Sequence, residues 1–297
     1  MRLRGKLAEL MAATAPEIYK QYITIDRKGN KALYVLTLNA IYDIMKAALL
    51  FYLKFMESLS SIGFVLNPYD SCIANKIVDR HQLTVVWHVD DLKILHQNEN
   101  VVTRMITWLR KTYEVLFDDR TGAMIVHRGR VHEYLGMSLA FTIAGQVKAT
   151  IFDYIKEMID DFTKINPTTK TAPNLAASHL FKVDEEAEIL DERRAQTFHT
   201  YVAKVLLETK RARPDIHTAV AFLSTRVMTP DEDDWKKLLR MINYLRGTLE
   251  LPLTLKASNI NIVKWWVDGS YGINTDCKIQ TGGTQSLGKG SIIPLSP

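Results

Sequence analysis

Hydrophobic and polar positions follow two different periods along this chain. Tyr22-Ile23-Thr24-Ile25 alternates polar and apolar, Asp26-Arg27-Lys28-Gly29-Asn30 carries turn residues, and Ala32-Leu33-Tyr34-Val35 resumes an apolar run. That pattern predicts a hairpin. The period then lengthens. Ile41, Ile44, Met45, Ala48, Leu49, Tyr52, Phe55 and Leu59 recur at three- and four-residue spacing, which predicts a helix that Asn67-Pro68-Tyr69-Asp70 turns aside. Cys72 to Val78 and Leu83 to Val89 read as strands joined by Asp79-Arg80-His81-Gln82, and a third run, Leu92 to Leu95, follows Asp90-Asp91. Val102, Met105, Ile106 and Leu109 mark another amphipathic helix.

The second half repeats the theme. Met124 to His127, Tyr134 to Leu139 and Val147 to Phe152 read as strands, and a helix from Asp153 buries Tyr154, Ile155, Met158, Ile159 and Phe162. Residues 164–192 are irregular, with an acidic run at Asp184-Glu185-Glu186. A helical block spans about 191–247. Its last helix has Pro230 at its start, Asp231-Glu232-Asp233-Asp234 in its first turn and Gly247 at its end, and Trp235, Leu238, Leu239, Ile242 and Leu245 form its apolar face. The helix dipole explains that acidic run without a metal. Strands return from Ile260 to Val267, with glycine-marked turns beyond. Hairpins interleaved with helices predict an α+β fold.

Composition narrows this picture. The 297 residues are 47% hydrophobic and 24% charged, which excludes collagen-like, coiled-coil and fully disordered classes. Cys72 and Cys277 are the only cysteines, too few for a disulfide scaffold or a cysteine zinc cluster. A formal charge of +5 permits a polyanionic partner without requiring one. The most apolar stretch, Leu33 to Phe55, is broken by Asn39, Asp43, Lys46 and Lys54, and the N-terminus lacks a signal-peptide pattern, so the expectation is an intracellular protein without a membrane span.

The best candidate chemistry is Asp90-Asp91 between two apolar β-runs. Adjacent carboxylates repel unless a cation or proton neutralises them, and magnesium accepts such groups together with phosphate oxygens. Asp-Asp is equally a good hairpin turn. His88 beside the pair could act as a general acid or pack for shape, and the other histidines show no metal-ligand spacing. Trp265 and Trp266 could stack on bases, but adjacent strand positions predict that at least one faces a core.

The wider surroundings of the pair resemble the reverse transcriptase of Ty1/copia-type retrotransposons. His88-Val89-Asp90-Asp91-Leu92 is similar to the family's catalytic hairpin, and Ala40 to Tyr52 to its nucleotide-proximal helix. Ile62-Gly63-Phe64 with Asp70-Ser71-Cys72 resembles the approach to that hairpin, and Tyr134-Leu135-Gly136-Met137 the strand that helps hold the primer. Arg213-Pro214-Asp215-Ile216, Leu239 to Thr248 with its Tyr-Leu-Arg-Gly-Thr ending, and Trp266 to Gly272 follow in family order. The last resembles the opening strand of a ribonuclease H domain.

The resemblance implies a right-hand polymerase that copies an RNA template into DNA. Residues 1–146 would be partial fingers and an antiparallel-sheet palm, 147–190 a thumb-like segment and linker, 191–258 connection helices, and 259–297 a truncated ribonuclease H-like β stub. Asp90 and Asp91 would ligate Mg2+ or Mn2+, and Tyr42, Asp43, Lys46 and His88 would lie near the nucleotide or template. Tyr134, Leu135, Gly136 and Met137 would grip the primer, and Asp268 would be the ribonuclease H-like carboxylate. Partners would be the RNA template, a DNA primer–template duplex and deoxynucleoside triphosphates.

Three departures point to low activity. The family's further palm aspartate opens a D-V-x-x-A-F-L-x-G segment, and matching Gly5 to its glycine puts that aspartate before Met1. Neither Asp26, in a hairpin turn, nor Asp43, on a helix, is an obvious substitute. Asp43 itself stands where the family has glycine, adding bulk and repelling phosphate. Asp268 is the only ribonuclease H match. The alternative is therefore an inactive relic that retains nucleic-acid binding, with an unrelated α+β protein third.

Overall fold

The computed structural model describes residues 2–36, 45–113, 124–175, 180–259, 261–270 and 280–295. The chain divides into two compact units, Met1–Gly122 and Ala123–Pro297, and both mix helix and sheet.

The first unit opens with β1 (Arg2–Arg4), α1 (Lys6–Thr14), α2 (Pro16–Tyr19), β2 (Ile23–Ile25) and β3 (Lys31–Tyr34). The strands form an antiparallel sheet in the order β1-β3-β2. The Asp26 carboxylate organises the hairpin turn by accepting the backbone N–H groups of Lys28 and Asn30, at 2.9 and 3.0 Å, and it pairs with Arg2. Those backbone bonds hold its carboxyl below the usual aspartate range. Leu3, Ala8 and Leu33 form a small core here.

α3 (Met45–Ser61) begins inside the apolar periodicity, and the predicted positions Ile41 and Ile44 lie outside the described residues. β4 (Val65–Leu66), β5 (Ile73–Val78), β6 (His81–His88) and β7 (Asp91–Leu95) follow, then α4 (Glu99–Tyr113). The strands make an antiparallel sheet in sequence order. The turn between β5 and β6 is two residues, Asp79 and Arg80, both at positive φ, shorter than the turn read from the sequence. One face of this sheet is dry: Ala74, Leu83, Val85 and Trp87 are buried. Trp87 meets Tyr52 and Phe55 of α3, and Phe55 also meets Tyr113 of α4, an aromatic cluster that ties both helices to β6.

The second unit contains β8 (Val131–Tyr134), β9 (Met137–Ala140), β10 (Gln146–Thr150), α5 (Phe152–Ile165), α6 (Glu192–Thr209), α7 (His217–Thr225), α8 (Glu232–Gly247) and β11 (Leu253–Ala257). Beyond these lie β12 (Lys264–Ser270), β13 (Gln280–Ser286), β14 (Gly288–Lys289) and β15 (Ile293–Leu295). A five-stranded sheet runs β14-β11-β10-β9-β8, and β12-β13-β15 forms a separate sheet. β8 and β9, which the sequence groups with the first segment, thus pair with the strands of the second unit. Ile155, Met158, Ile159 and Phe162 of α5 pack with Phe198, Val202 and Val205 of α6, Leu223 of α7 and Leu238 and Ile242 of α8 in one core.

Two local expectations need correction. Met124–His127 is not in strand conformation, and the sheet ends at β8. Trp265 and Trp266 are 51% and 54% exposed, so neither faces a core. β12 is an edge strand, and its partner β13 sets Gln285 and Thr284 opposite the two indoles and glycine opposite the next two positions. A strand that supplies so few apolar side chains cannot cover its neighbour.

Candidate functional site

The Asp90-Asp91 pair sits at the tip of the β6–β7 hairpin. His88 pairs with Asp91 across the ladder, leaving Val89 and Asp90 as a two-residue turn. Such turns require a positive φ at the first residue. Here that residue is Val89, at φ 55. A β-branched side chain there costs about 1–2 kcal/mol, so the tip carries strain that the flanking ladder must hold.

The hairpin separates two environments. Leu83, Val85 and Trp87 are buried, and Trp87 joins the aromatic cluster. Thr84, Val86 and His88 alternate with them, and register places Leu95, Lys93 and Asp91 on that same second face. This face is open: His88, Val89, Asp90 and Asp91 are exposed, and Thr84, Val86 and Lys93 are half-buried. Farther along it Thr84 donates to Asn75 at 2.8 Å, and the Gln82 amide donates to both Asn75 and Thr84. Burial holds the Lys93 ammonium below the usual lysine range.

The pair offers hard oxygen donors, and its exposure leaves coordination positions for water and phosphate oxygens. Both features fit a magnesium or manganese ion. Among the described residues no group of three or more His, Cys, Asp or Glu side chains is placed to hold a metal ion.

The remaining expected site residues are distributed. Tyr42 and Asp43 lie outside the described residues, and Lys46 is the second residue of α3. Tyr134, Leu135, Gly136 and Met137 form the β8–β9 turn, with Leu135 at φ 52 and Gly136 at φ 72. Asp268 is exposed inside β12, opposite Gly282, and its carboxylate accepts the backbone N–H of Gly269 at 3.0 Å, so it is not the strand-end turn former that its sequence also suggested.

The structure also joins two motifs whose contact was not legible. Arg213 is 1% exposed. It grips the Asp215 carboxylate through Nε and Nη2 at 2.9 and 2.8 Å. It also donates to the carbonyl and hydroxyl of Thr248 at 3.2 and 2.9 Å. The Tyr244 hydroxyl donates to the same Asp215 carboxylate at 3.0 Å. Arg-Pro-Asp-Ile and Tyr-Leu-Arg-Gly-Thr are therefore two halves of one clamp around a buried arginine. A second residue, Glu208, was missed although its signal was present: with Tyr201 and Val205 it falls on the buried stripe of α6, where a carboxylate is out of place.

No family model and no solved structure matches the chain. Curated proteins do. The Retrovirus-related Pol polyprotein from transposon TNT 1-94 of Nicotiana tabacum is 22% identical over 254 residues, 83% of this chain and 18% of that protein. The Retrovirus-related Pol polyprotein from transposon RE2 of Arabidopsis thaliana is 22% identical over 246 residues, 82% of this chain and 16% of that protein. The chain spans less than a fifth of the length of these relatives, and over four-fifths of its own length it is similar to plant retrotransposon Pol polyproteins.

Proposed function

We propose that this chain is the reverse transcriptase-like part of a retrotransposon Pol polyprotein, with the β6–β7 hairpin as its nucleotidyl-transfer site. The observation that carries this reading is the exposed Asp90-Asp91 pair on a strained Val89 turn, in a sheet with one face packed by helices and the other open. Residues 1–146 are read as palm and partial fingers, 147–190 as a thumb-like segment and linker, 191–258 as the connection and 259–297 as a ribonuclease H-like region. Substrates are an RNA template, a DNA primer–template duplex and deoxynucleoside triphosphates.

Asp90 and Asp91 would hold one or two Mg2+ or Mn2+ ions, which supply charge neutralisation at the transferring phosphorus. The chain's own residues do the rest. The Val89 turn fixes where the carboxylates project. His88, opposite Asp91, bounds the site on the open face, and Lys93 places positive charge two residues inward on that face. Asp43, in place of the family's glycine, favours a second reading: duplex binding without transfer.

Primer extension on an RNA template with magnesium tests the first reading. Extension that disappears in Asp90→Asn supports it. Folded protein that does not extend, but binds duplex with an affinity that falls as salt rises, supports the second. Neither extension nor salt-dependent binding overturns both.

A further inference from the structure

The last turn of α6 holds a carboxylate that the proposed chemistry does not use. Glu208 is fully buried, and neither carboxylate oxygen has a hydrogen-bond partner. Its backbone carbonyl accepts the N–H groups of Arg211, Ala212 and Arg213 at 3.1, 3.3 and 3.2 Å. The chain therefore reverses tightly at this point and brings Arg211 back beside the carboxylate. Burial pushes the Glu208 carboxyl up to about 7, against the pull of the Arg211 guanidinium.

Arg211 also reaches a second element. A methyl group added to Gly136 would stand 2.9 Å from Arg211 Nη1, so the guanidinium lies against the β8–β9 turn and a side chain at position 136 would displace it. That turn is under strain, because Leu135 sits at φ 52. A leucine in the left-handed region persists where its surroundings hold it there. Tyr154 of α5 closes the group: burial raises its phenol, Glu208 raises it further and Arg211 lowers it. Among the described residues Arg211 and Tyr154 act with Glu208, and Glu157 of α5 also raises the Tyr154 phenol.

We propose that Arg211 is a positioning residue for the Tyr134–Met137 turn, and that the charge on Glu208 decides whether Arg211 stays on that turn. The functional half of this rests on the reading of the turn as a primer grip. With Glu208 protonated, Arg211 lies on Gly136, as in this structure. An ionised, buried Glu208 lacks any partner in this arrangement, and the nearest cation is Arg211. Pairing the two takes the guanidinium off Gly136 and releases the turn. The turn is therefore held below neutral pH and loosened above it.

The test follows the backbone amide resonances of Leu135 and Gly136 from about pH 5.5 to about pH 8.5 in the wild type, Glu208→Gln and Arg211→Ala. Both amides titrate in the wild type with a midpoint near 7 and stay flat in the two variants. A flat wild type, or a titration unchanged in Glu208→Gln, overturns the proposal. Glu208→Gln is nearly isosteric and carries the test if Arg211→Ala does not fold. This readout needs no nucleic acid. In parallel, affinity for a primer–template duplex falls roughly fivefold from about pH 6 to about pH 8 in the wild type, and less in Glu208→Gln. Amides that titrate in a protein that binds no duplex support the Arg211 contact and overturn the reading of the turn as a primer grip.

Discussion

The Arg213 guanidinium donates to both the carbonyl and the hydroxyl of Thr248, 35 residues away, while its other edge grips Asp215. The bond to the Thr248 carbonyl satisfies a backbone acceptor just beyond the end of α8, and the Thr248 hydroxyl in turn donates to the Tyr244 carbonyl at 2.8 Å. The Tyr244 ring, 5.6 Å from Arg213, covers the cation. A buried charge is tolerable here because its donors are so fully engaged.

Breaking that clamp should be costly. Arg213→Ala leaves Asp215, Thr248 and Tyr244 without their shared partner, and the expected loss is about 1.5–3 kcal/mol. Arg213→Lys recovers little of it, because an ammonium cannot grip carboxylate, carbonyl and hydroxyl as a planar fork does. Urea denaturation of the two variants checks this. A loss under about 1 kcal/mol in Arg213→Ala would show that the clamp is not structural.

Glu208 predicts an unusual pH dependence of stability. Its folded value of about 7 lies above the ordinary 4.5, so the folded state binds the proton more tightly. The proton's contribution is fully present below about pH 4.5 and is lost as pH rises through about 7. The penalty above that range is on the order of 3 kcal/mol. Glu208→Gln removes the penalty, so the variant melts above the wild type at about pH 8 and close to it at about pH 4.5. Melting curves at the two pH values decide it, and equal differences at both would contradict the burial argument.

Val89 offers a test of strain at the candidate site. Val89→Gly relieves a left-handed β-branched residue, worth about 1–2 kcal/mol, against glycine's entropy cost of about 0.5–1 kcal/mol. The variant should therefore be slightly more stable than the wild type, whereas Val89→Ala, still an L-residue at positive φ, keeps most of the strain. Chemical denaturation of both variants reads the difference. Under the proposed function, Val89→Gly also lowers primer extension, because a freer turn holds Asp90 and Asp91 less firmly.

The start of α8 supplies a prediction independent of function. Asp231 caps the helix through the backbone N–H of Asp234 at 2.8 Å, and Asp234 returns the bond to the Asp231 N–H at 3.2 Å. Arg226 pairs with both carboxylates. Asp231→Ala removes the cap and half of the ion pair, and should cost about 2 kcal/mol or more. Asp231→Asn keeps the cap oxygen and should cost less. Thermal melts followed by circular dichroism compare the two.

Much of this molecule is legible in its sequence alone. The β5–β7 hairpins, the aspartates at the tip of the last one, the acidic opening of α8 and the apolar stripes of α4 and α5 are local patterns. Each follows from a residue's own backbone preference and from a period of two or of about 3.6, which a short stretch of sequence already contains. The contacts between distant segments are another matter. The grip of Arg213 on Thr248, the guanidinium of Arg211 on Gly136 and the exposure of both Trp265 and Trp266 depend on which elements pack side by side. A side chain's partner is set by the summed burial of whole helices and strands, and no local rule carries that sum. Sequence therefore placed the carboxylates on a turn, and only the tertiary structure decided that one face of their sheet is sealed by aromatic residues while the other is open.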